Sequence, residues 1–232
     1  MKIKISENII EKYPEVNISV IVAKNVDNTK YNEEIQQLLR GAEKELREDI
    51  EFDKILEVSI ISKWREIYKS FGAKPSDYRS SVEAILRRAL KKELPKINCL
   101  VDIYNYISAK YLMTVGGEDI DTLEGDLVLD FAEGDEEFTA LGSDKKESPW
   151  KGEVVYRDDK GVVCRCWNWK EGDRTKLTEQ TKNAVIVIEN PIPEQINKLD
   201  EAEDRLKELI KKHCGGDIEA FKMDKENLEV EI

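Results

Sequence analysis

A chain of 232 residues with 37 Lys and Arg, 49 Asp and Glu, one His and a net charge of −12 is long enough to bury one full core. Its acidity argues against unspecific nucleic-acid binding by the molecule as a whole, and no apolar run approaches the twenty residues of a membrane helix. The opening MKIKISENII breaks into charge at once, so neither a leader nor a membrane partner is expected and the location is read as cytoplasmic.

In chain order, Lys2 to Ile5 alternates as a short strand, Glu7 to Lys12 is a helical turn, and Asn17 to Ala23, NISVIVA, reads as a buried strand. Tyr31 to Asp49 follows as an amphipathic helix with Ile35, Leu38, Leu39, Ala42 and Leu46 on one side, capped by Asn28 or Thr29. Val58 to Phe71 is the next helix and stops at Gly72. Its Trp64 has two readings, a core side chain or a platform for a nucleobase. After the turn at Pro75 to Asp77, where Ser76 or Asp77 can start the helix, Ser80 to Lys92 carries an apolar stripe of Val82, Ile85, Leu86, Ala89 and Leu90. Arg79, Arg87, Arg88, Lys91 and Lys92 lie off that stripe.

Residues 61 to 112 hold eleven Lys or Arg against five Asp or Glu, a local charge of +6 in an acidic chain. Such a segment is either a phosphate-facing patch or the solvated side of its helices.

Ile97 to Asp121 then predicts a helix with Leu100, Ile103, Tyr104, Ile107 and Tyr111 buried, Asp102 and Asn105 on its polar side, and a paired-glycine turn at Gly116-Gly117. Asp126 to Ala132 and Glu137 to Leu141 form an expected hairpin around Gly134-Asp135. Gly142 to Pro149 reads as a loop. Lys151 to Tyr156 and Val162 to Trp167 form a second hairpin around D-D-K-G, followed by a polar loop from Asn168 to Lys176, a helical turn near Thr178 or Thr181 and the strand Ala184 to Glu189. A helix from Pro193 to His213, closed by Gly215-Gly216, and strands at Glu219 to Met223 and Leu228 to Glu231 complete the chain. Helices mixed with hairpins, without strict βαβ alternation, predict an α+β fold with mainly antiparallel sheets.

The order I-N-x-L-V-D-x-x-N-Y, a short acidic turn, G-D-L-V-L, Y-R-D-D-x-G-V and T-x-x-T-K-N-A-V-I-V-I-E resembles the B3/B4 domain of the phenylalanyl-tRNA synthetase β-subunit over Ser62 to Glu189. The resemblance implies a layered fold with a β-sandwich element and hydrolysis of misacylated tRNA, here by a free-standing protein acting in trans. The expected organisation is one domain, with residues 58–190 as the B3/B4 core, 1–57 as an accessory strand and helix layer, and 191–232 as an extension. A non-catalytic module that holds a tRNA end or an amino acid is the alternative. The expected partner is the tRNA 3′ end with its amino acid; neither DNA nor a cofactor is expected.

Hydrolysis of an aminoacyl ester needs an aimed water, a polar clamp and donors for the oxyanion, and the vicinal ribose hydroxyl can assist, so no catalytic triad is required. Asn98, Asp102, Asn105 and Asp119 are the candidate catalytic groups. Gly116, Gly117, Arg165, Trp167, Asn168 and Glu189 are the candidate substrate contacts. Arg79, Arg87, Arg88, Lys91 and Lys92 are the candidate tRNA contacts. Strand alternation from Val162 sets Cys164 and Cys166 on one face and Arg165 and Trp167 on the other. The second face either lines the cleft or presents an exposed Arg and a packed Trp.

Two departures from the synthetase pattern matter. Gly116 stands where that domain carries a pocket His, and Cys166 to Asp173 replaces its glycine-rich stretch, whereas Glu189 falls on the matching Glu. Gly116, Trp167 and Trp169 thus suit the pocket to an amino acid other than tyrosine. Cys99, Cys164, Cys166 and Cys214 form no disulfide framework; packing is one reading, and a zinc set of Cys164, Cys166, His213 and Cys214 is the other. No metal is expected.

Overall fold

In the computed structural model, which describes residues 1–29 and 32–232, the chain runs β1 (Lys2–Ile5), α1 (Glu7–Lys12), β2 (Asn17–Lys24), α2 (Glu33–Asp49), α3 (Ser59–Ser70), α4 (Ser81–Ala89) and α5 (Cys99–Tyr111). It continues through β3 (Thr114–Asp119), β4 (Leu127–Phe131), β5 (Phe138–Thr139), β6 (Lys146–Glu147), β7 (Val154–Arg157), β8 (Val162–Arg165) and β9 (Lys170–Glu171). The last elements are β10 (Ala184–Asn190), α6 (Ile196–His213), β11 (Asp217–Met223) and β12 (Glu229–Glu231).

Two sheets face each other. One has the order β12-β1-β4-β7-β8-β9, and the other β11-β2-β10-β3. The β1–β4 pair is parallel and the remaining pairs are antiparallel. The class is therefore α+β with largely antiparallel sheets. Strand β2 is an inner strand, paired along its length with β10 and β11, because NISVIVA is apolar on both faces and both must be covered.

Helix α6 covers the outer face of the four-stranded sheet, where Ser19 of β2 donates to Glu203 Oε2 at 2.8 Å. By alternation Ile186 and Ile188 of β10 face this helical layer, and Val185, Val187 and Glu189 face the other sheet. Register carries the same division to β3: Gly116 lies opposite Val187, Glu118 opposite Val185 and Thr114 opposite Glu189. That inner face is where the cavity described below forms.

Several local expectations change. The predicted first residue of the second helix, Tyr31, lies outside the described residues. Its cap is Asn32, whose Oδ1 accepts from the amides of Glu34 and Ile35, rather than Asn28 or Thr29. Asn28 is instead buried, accepting from the Leu100 amide at 2.8 Å and donating to the Thr178 carbonyl at 2.6 Å. Helix α4 is capped by Ser80 and ends at Ala89, short of the expected Lys92.

The pair Gly116-Gly117 is extended strand within β3, not a turn with positive φ; the left-handed residue ending α5 is Leu112, at φ 48°. The expected hairpin of 126–132 with 137–141 does not form. Strand β4 pairs with β1 and β7, while β5 pairs with β6, a stretch read as loop. The second hairpin does form, with Asp158 Oδ1 accepting from the Lys160 and Gly161 amides in the turn. Trp64 is fully buried, edge-on to Tyr68 and Trp167, so it is core. All four cysteines are buried and unbridged. No helix among the described residues is long and apolar enough to cross a membrane.

Candidate functional site

Between the two sheets lies a partly enclosed cavity with ≈ 460 Å³ of free space, its solvent mouth included. Its floor is Gly116 and Glu118 of β3 with Val185, Val187 and Glu189 of β10; across it stand Tyr156, Cys164, Trp167, Asn168 and Glu171, with Ser81 at the start of α4. A Cβ added to Gly116 would meet nothing within 4 Å, so this glycine holds the cavity open. At Gly117 a Cβ would sit 2.9 Å from the Val185 carbonyl oxygen and 3.0 Å from Ile186 Cγ1, so that glycine serves packing. Neither presents backbone amides from a turn, as the sequence suggests.

Glu189 is the centre of one end. Its Oε1 accepts from the Tyr156 hydroxyl and the Trp167 indole N–H, both at 2.7 Å, and its Oε2 accepts from Asn168 Nδ2 at 2.7 Å. Asn168 Oδ1 in turn accepts from Tyr68 at 2.9 Å, which fixes the orientation of the amide. Trp167 reaches Glu189 because Cys166 and Trp167 adopt φ of 45° and 67°, reversing the chain where strand alternation would continue. Two consecutive left-handed non-glycine residues cost on the order of 1–3 kcal/mol each. Edge contacts of Trp167 with Tyr13 and Trp64 hold the indole in place.

Burial pushes the Glu189 carboxyl up to about 6, against the opposing pull of its donors. A carboxyl whose folded value lies above its unfolded one favours the folded state when protonated. That stability is present below the unfolded value near 4.5 and is lost as pH rises through about 6. At ~1.4 kcal/mol per pKa unit the loss is about 2 kcal/mol. Glu189→Gln removes it, so the drop in unfolding free energy between about pH 4 and about pH 8 is smaller in the variant by about that amount, read by urea titration.

The other end of the cavity carries two further carboxyls, Glu118 and Glu171, within hydrogen-bonding reach of each other. Burial and their mutual repulsion push Glu118 well above the usual carboxylate range. Burial raises Glu171 as well, while its bond from Glu118 opposes the rise. The Cys164 thiol, also pushed well up by burial, stands beside Glu171 and has the Arg165 carbonyl as its acceptor at 3.9 Å.

The residues expected to be catalytic lie elsewhere. Asn98 caps α5, accepting from the Val101 amide and donating to the Leu177 carbonyl. Asp102 is buried against α2, accepting from Gln36 Nε2 at 2.6 Å and the Ile97 amide at 2.9 Å. Asn105 is buried on the same helix and does not line the cavity. Asp119 accepts from the Asp121 amide and the Thr181 hydroxyl. Helix α5 is buried almost all round, so its polar residues serve the interior rather than a cleft.

Arg165 also turns away. Its Nε and Nη2 grip both oxygens of the fully buried Glu153 at 2.9 and 2.8 Å, and Nη1 reaches Glu147 at 3.1 Å. The expected face is reversed, since Cys164 points into the cavity and Arg165 to the far side of its sheet. Of the substrate candidates, Gly116, Gly117, Trp167, Asn168 and Glu189 line the cavity and Arg165 does not. Ser81, Glu118, Tyr156, Cys164 and Glu171 are lining residues that the sequence does not assign to the pocket. Glu118 is at i+2 from Gly116 on an alternating strand, the one signal that places it on the same face.

Beside the cavity is an open concavity lined by Arg79, Arg87, Arg88, Lys91 and Lys92 with Phe52 and Trp169. All five expected tRNA contacts are thus on one surface. Lys91 Nζ stands 3.9 Å from the Phe52 ring centroid, and Arg87 donates to buried Glu83 at 2.8 Å. Trp169 on this surface directly follows Asn168 of the cavity, and Arg79 stands two residues before Ser81, so the same two chain segments contribute to both spaces.

The sandwich and its site define an α+β domain with an enclosed, carboxyl-lined pocket flanked by a basic surface. The family model described as the B3/4 domain matches residues 63–215, and the chain belongs to that family. It is similar to the phenylalanine–tRNA ligase β-subunit of Fusobacterium nucleatum, 32% identical over 106 residues, covering 45% of this chain and 13% of the relative. The corresponding subunit of Psychrobacter arcticus is 33% identical over 89 residues, covering 38% and 11%. The chain therefore matches a small part of those relatives' length. An N-terminal fragment of the phenylalanyl-tRNA synthetase β-subunit from Pyrococcus horikoshii overlays 95% of this chain and 53% of its own, at 12% identity and a TM-score of 0.43.

Proposed function

We propose that this chain binds the 3′ end of a mischarged aminoacyl-tRNA, with the amino acid in the cavity and the RNA backbone on the basic surface, and hydrolyses the ester in trans. The observation that carries the proposal is that the same two chain segments line both spaces. Ser81 and Asn168 face the partly enclosed, carboxyl-lined one, while Arg79, two residues before Ser81, and Trp169, next to Asn168, face the open basic one. An aminoacyl ester of RNA has the same division, a small polar head on a polyanion. Membership in the B3/4 family and similarity to tRNA ligase subunits support it.

Burial holds the Cys164 thiol beside Glu171 protonated and so poorly nucleophilic; the protein contributes position and exclusion of bulk water, worth several kcal/mol, while the vicinal ribose hydroxyl assists the attack. The Ser81 hydroxyl, buried without a hydrogen-bond partner, lies at the junction where the ester would sit. It is a donor available to the ester carbonyl or the ribose. The test is a deacylation screen over mischarged tRNAs. At least one should lose its amino acid well above the buffer rate, and Ser81→Ala should slow that loss.

A binding module without catalysis is the second reading. It is favoured by the full hydrogen-bond complement of Glu189 and by the structural use of Asn98, Asp102 and Asp119. Retained affinity with ester loss at the buffer rate selects it. In either case Lys91→Glu with Lys92→Glu weakens tRNA binding about tenfold or more and lowers the slope of log affinity against log salt by about two. An unchanged slope removes these lysines from the RNA surface.

A further inference from the structure

We infer that the Glu118–Glu171 end of the cavity is a receptor for a protonated primary amine carried by the ligand. The inference rests on the cavity being a ligand pocket, and not on ester hydrolysis. The two carboxyls come from opposite sheets, Glu118 from β3 and Glu171 from β9, and meet inside the space the sheets enclose. Among the described residues no basic side chain lines it.

The nearby cations are committed elsewhere. Arg174 holds Asp158 through two bonds of 2.8 and 2.7 Å, and Lys176 holds Asp173 at 2.8 Å. Among the described residues neither Glu118 nor Glu171 has an ion-pair partner. Glu118, only 6% exposed, has an Oε2 that no donor reaches in good hydrogen-bond geometry, although the Thr175 hydroxyl beside the carboxyl stands close enough to oppose its upward shift. A buried carboxyl oxygen left bare costs on the order of 1–3 kcal/mol, which a donor on the ligand recovers.

A protonated amine supplies up to three N–H donors and a compact charge. Among the described residues no group of three metal-ligating side chains is present, which favours an organic cation over a metal ion. The groups facing the pair are the Cys164 thiol on β8, the Tyr104 hydroxyl on α5, Tyr156 on β7, Glu189 on β10 and the more distant Arg174. Tyr104, Tyr156 and Cys164 are held neutral by burial. An ammonium favours the ionised form of carboxyls that burial holds above their usual range, so its binding releases protons to solvent and affinity rises with pH until the amine itself deprotonates.

The experiment is calorimetric titration with three probes of matched size: hexanamide, 6-aminohexanamide and L-norleucinamide. One or both amines should bind at least about tenfold more tightly than hexanamide, with a heat that varies with the ionisation enthalpy of the buffer because a proton is released. Glu118→Gln should abolish both the preference and the proton release while keeping its unfolding midpoint. The preferred amine tells whether the pair takes an α-ammonium or a side-chain ammonium. Hexanamide binding as well as both amines, or amine binding undiminished in a folded Glu118→Gln, overturns the inference. Amine binding without deacylation of any tRNA would instead remove ester hydrolysis and leave the receptor standing.

Discussion

Gly116→Phe is expected to reduce ligand capture, and with it ester hydrolysis, by about 100-fold or more while the unfolding midpoint stays level or rises. The backbone at this residue is ordinary extended strand opposite Val187, and the space above its α-carbon is empty. A side chain here strains nothing and projects into the cavity, between the Glu189 end and the Glu118 end. Gly116→Ala should fold at least as well as wild type, since an interior strand glycine is worth less than alanine by about 0.5–1 kcal/mol. The neighbouring Gly117→Ala is the control, driving a methyl against the Val185 carbonyl and destabilising by about 1–3 kcal/mol. Urea titration beside a binding assay separates the two residues. A Gly116→Phe protein that binds and hydrolyses like wild type would show that the cavity is not the ligand site.

The second large effect is on stability. Arg165→Ala should cost about 3–5 kcal/mol, a large part of the 5–15 kcal/mol typical of a whole domain. Among the described residues the guanidinium is the only cation gripping Glu153, which is fully buried and whose remaining bonds come from the Cys166 and Trp150 amides and the Cys166 thiol. Removing Arg165 leaves a carboxylate in the interior with neutral donors alone. Adding Glu153→Gln should recover part of the loss, because a neutral amide needs no counter-charge but its oxygen still accepts from Cys166. If Arg165→Ala instead leaves stability intact and weakens ligand binding alone, the residue belongs to the pocket after all.

Why Arg165 misleads in the sequence is instructive. Alternation along Val162 to Trp167 sets Arg165 and Trp167 on one face, and it holds as far as Arg165. The left-handed pair at Cys166 and Trp167 then rotates the indole to the opposite side. Nothing in C-R-C-W-N-W announces positive φ, since neither Gly nor Asn stands at those positions. The same limit hides the fate of α5. Its periodicity marks a buried stripe correctly, yet a helix enclosed on nearly all sides also buries Asp102 and Asn105, and only the tertiary partner Gln36 explains the carboxyl.

The α+β class, the second hairpin and the inner strands β2 and β10 were legible because each follows from apolar patterning and turn chemistry within a few residues. The pairing of β4 with β1 and of β5 with β6 was not, since strand partners distant in sequence are chosen by the assembled core. For the site, Glu189 could be singled out by resemblance, and Gly116 and Trp167 by their departure from it. Glu118 and Glu171 could not, because they approach each other only when two sheets close.

The pocket and the basic surface must act on one ligand, and affinity for RNA minihelices carrying amide-linked amino acids at the 3′ end measures this directly. Against the uncharged minihelix, at least one charged form should bind about tenfold more tightly or better, with the gain abolished by Gly116→Phe and the shared affinity lowered by Lys91→Glu with Lys92→Glu. Charged and uncharged minihelices of equal affinity, or a gain that survives Gly116→Phe, would contradict it.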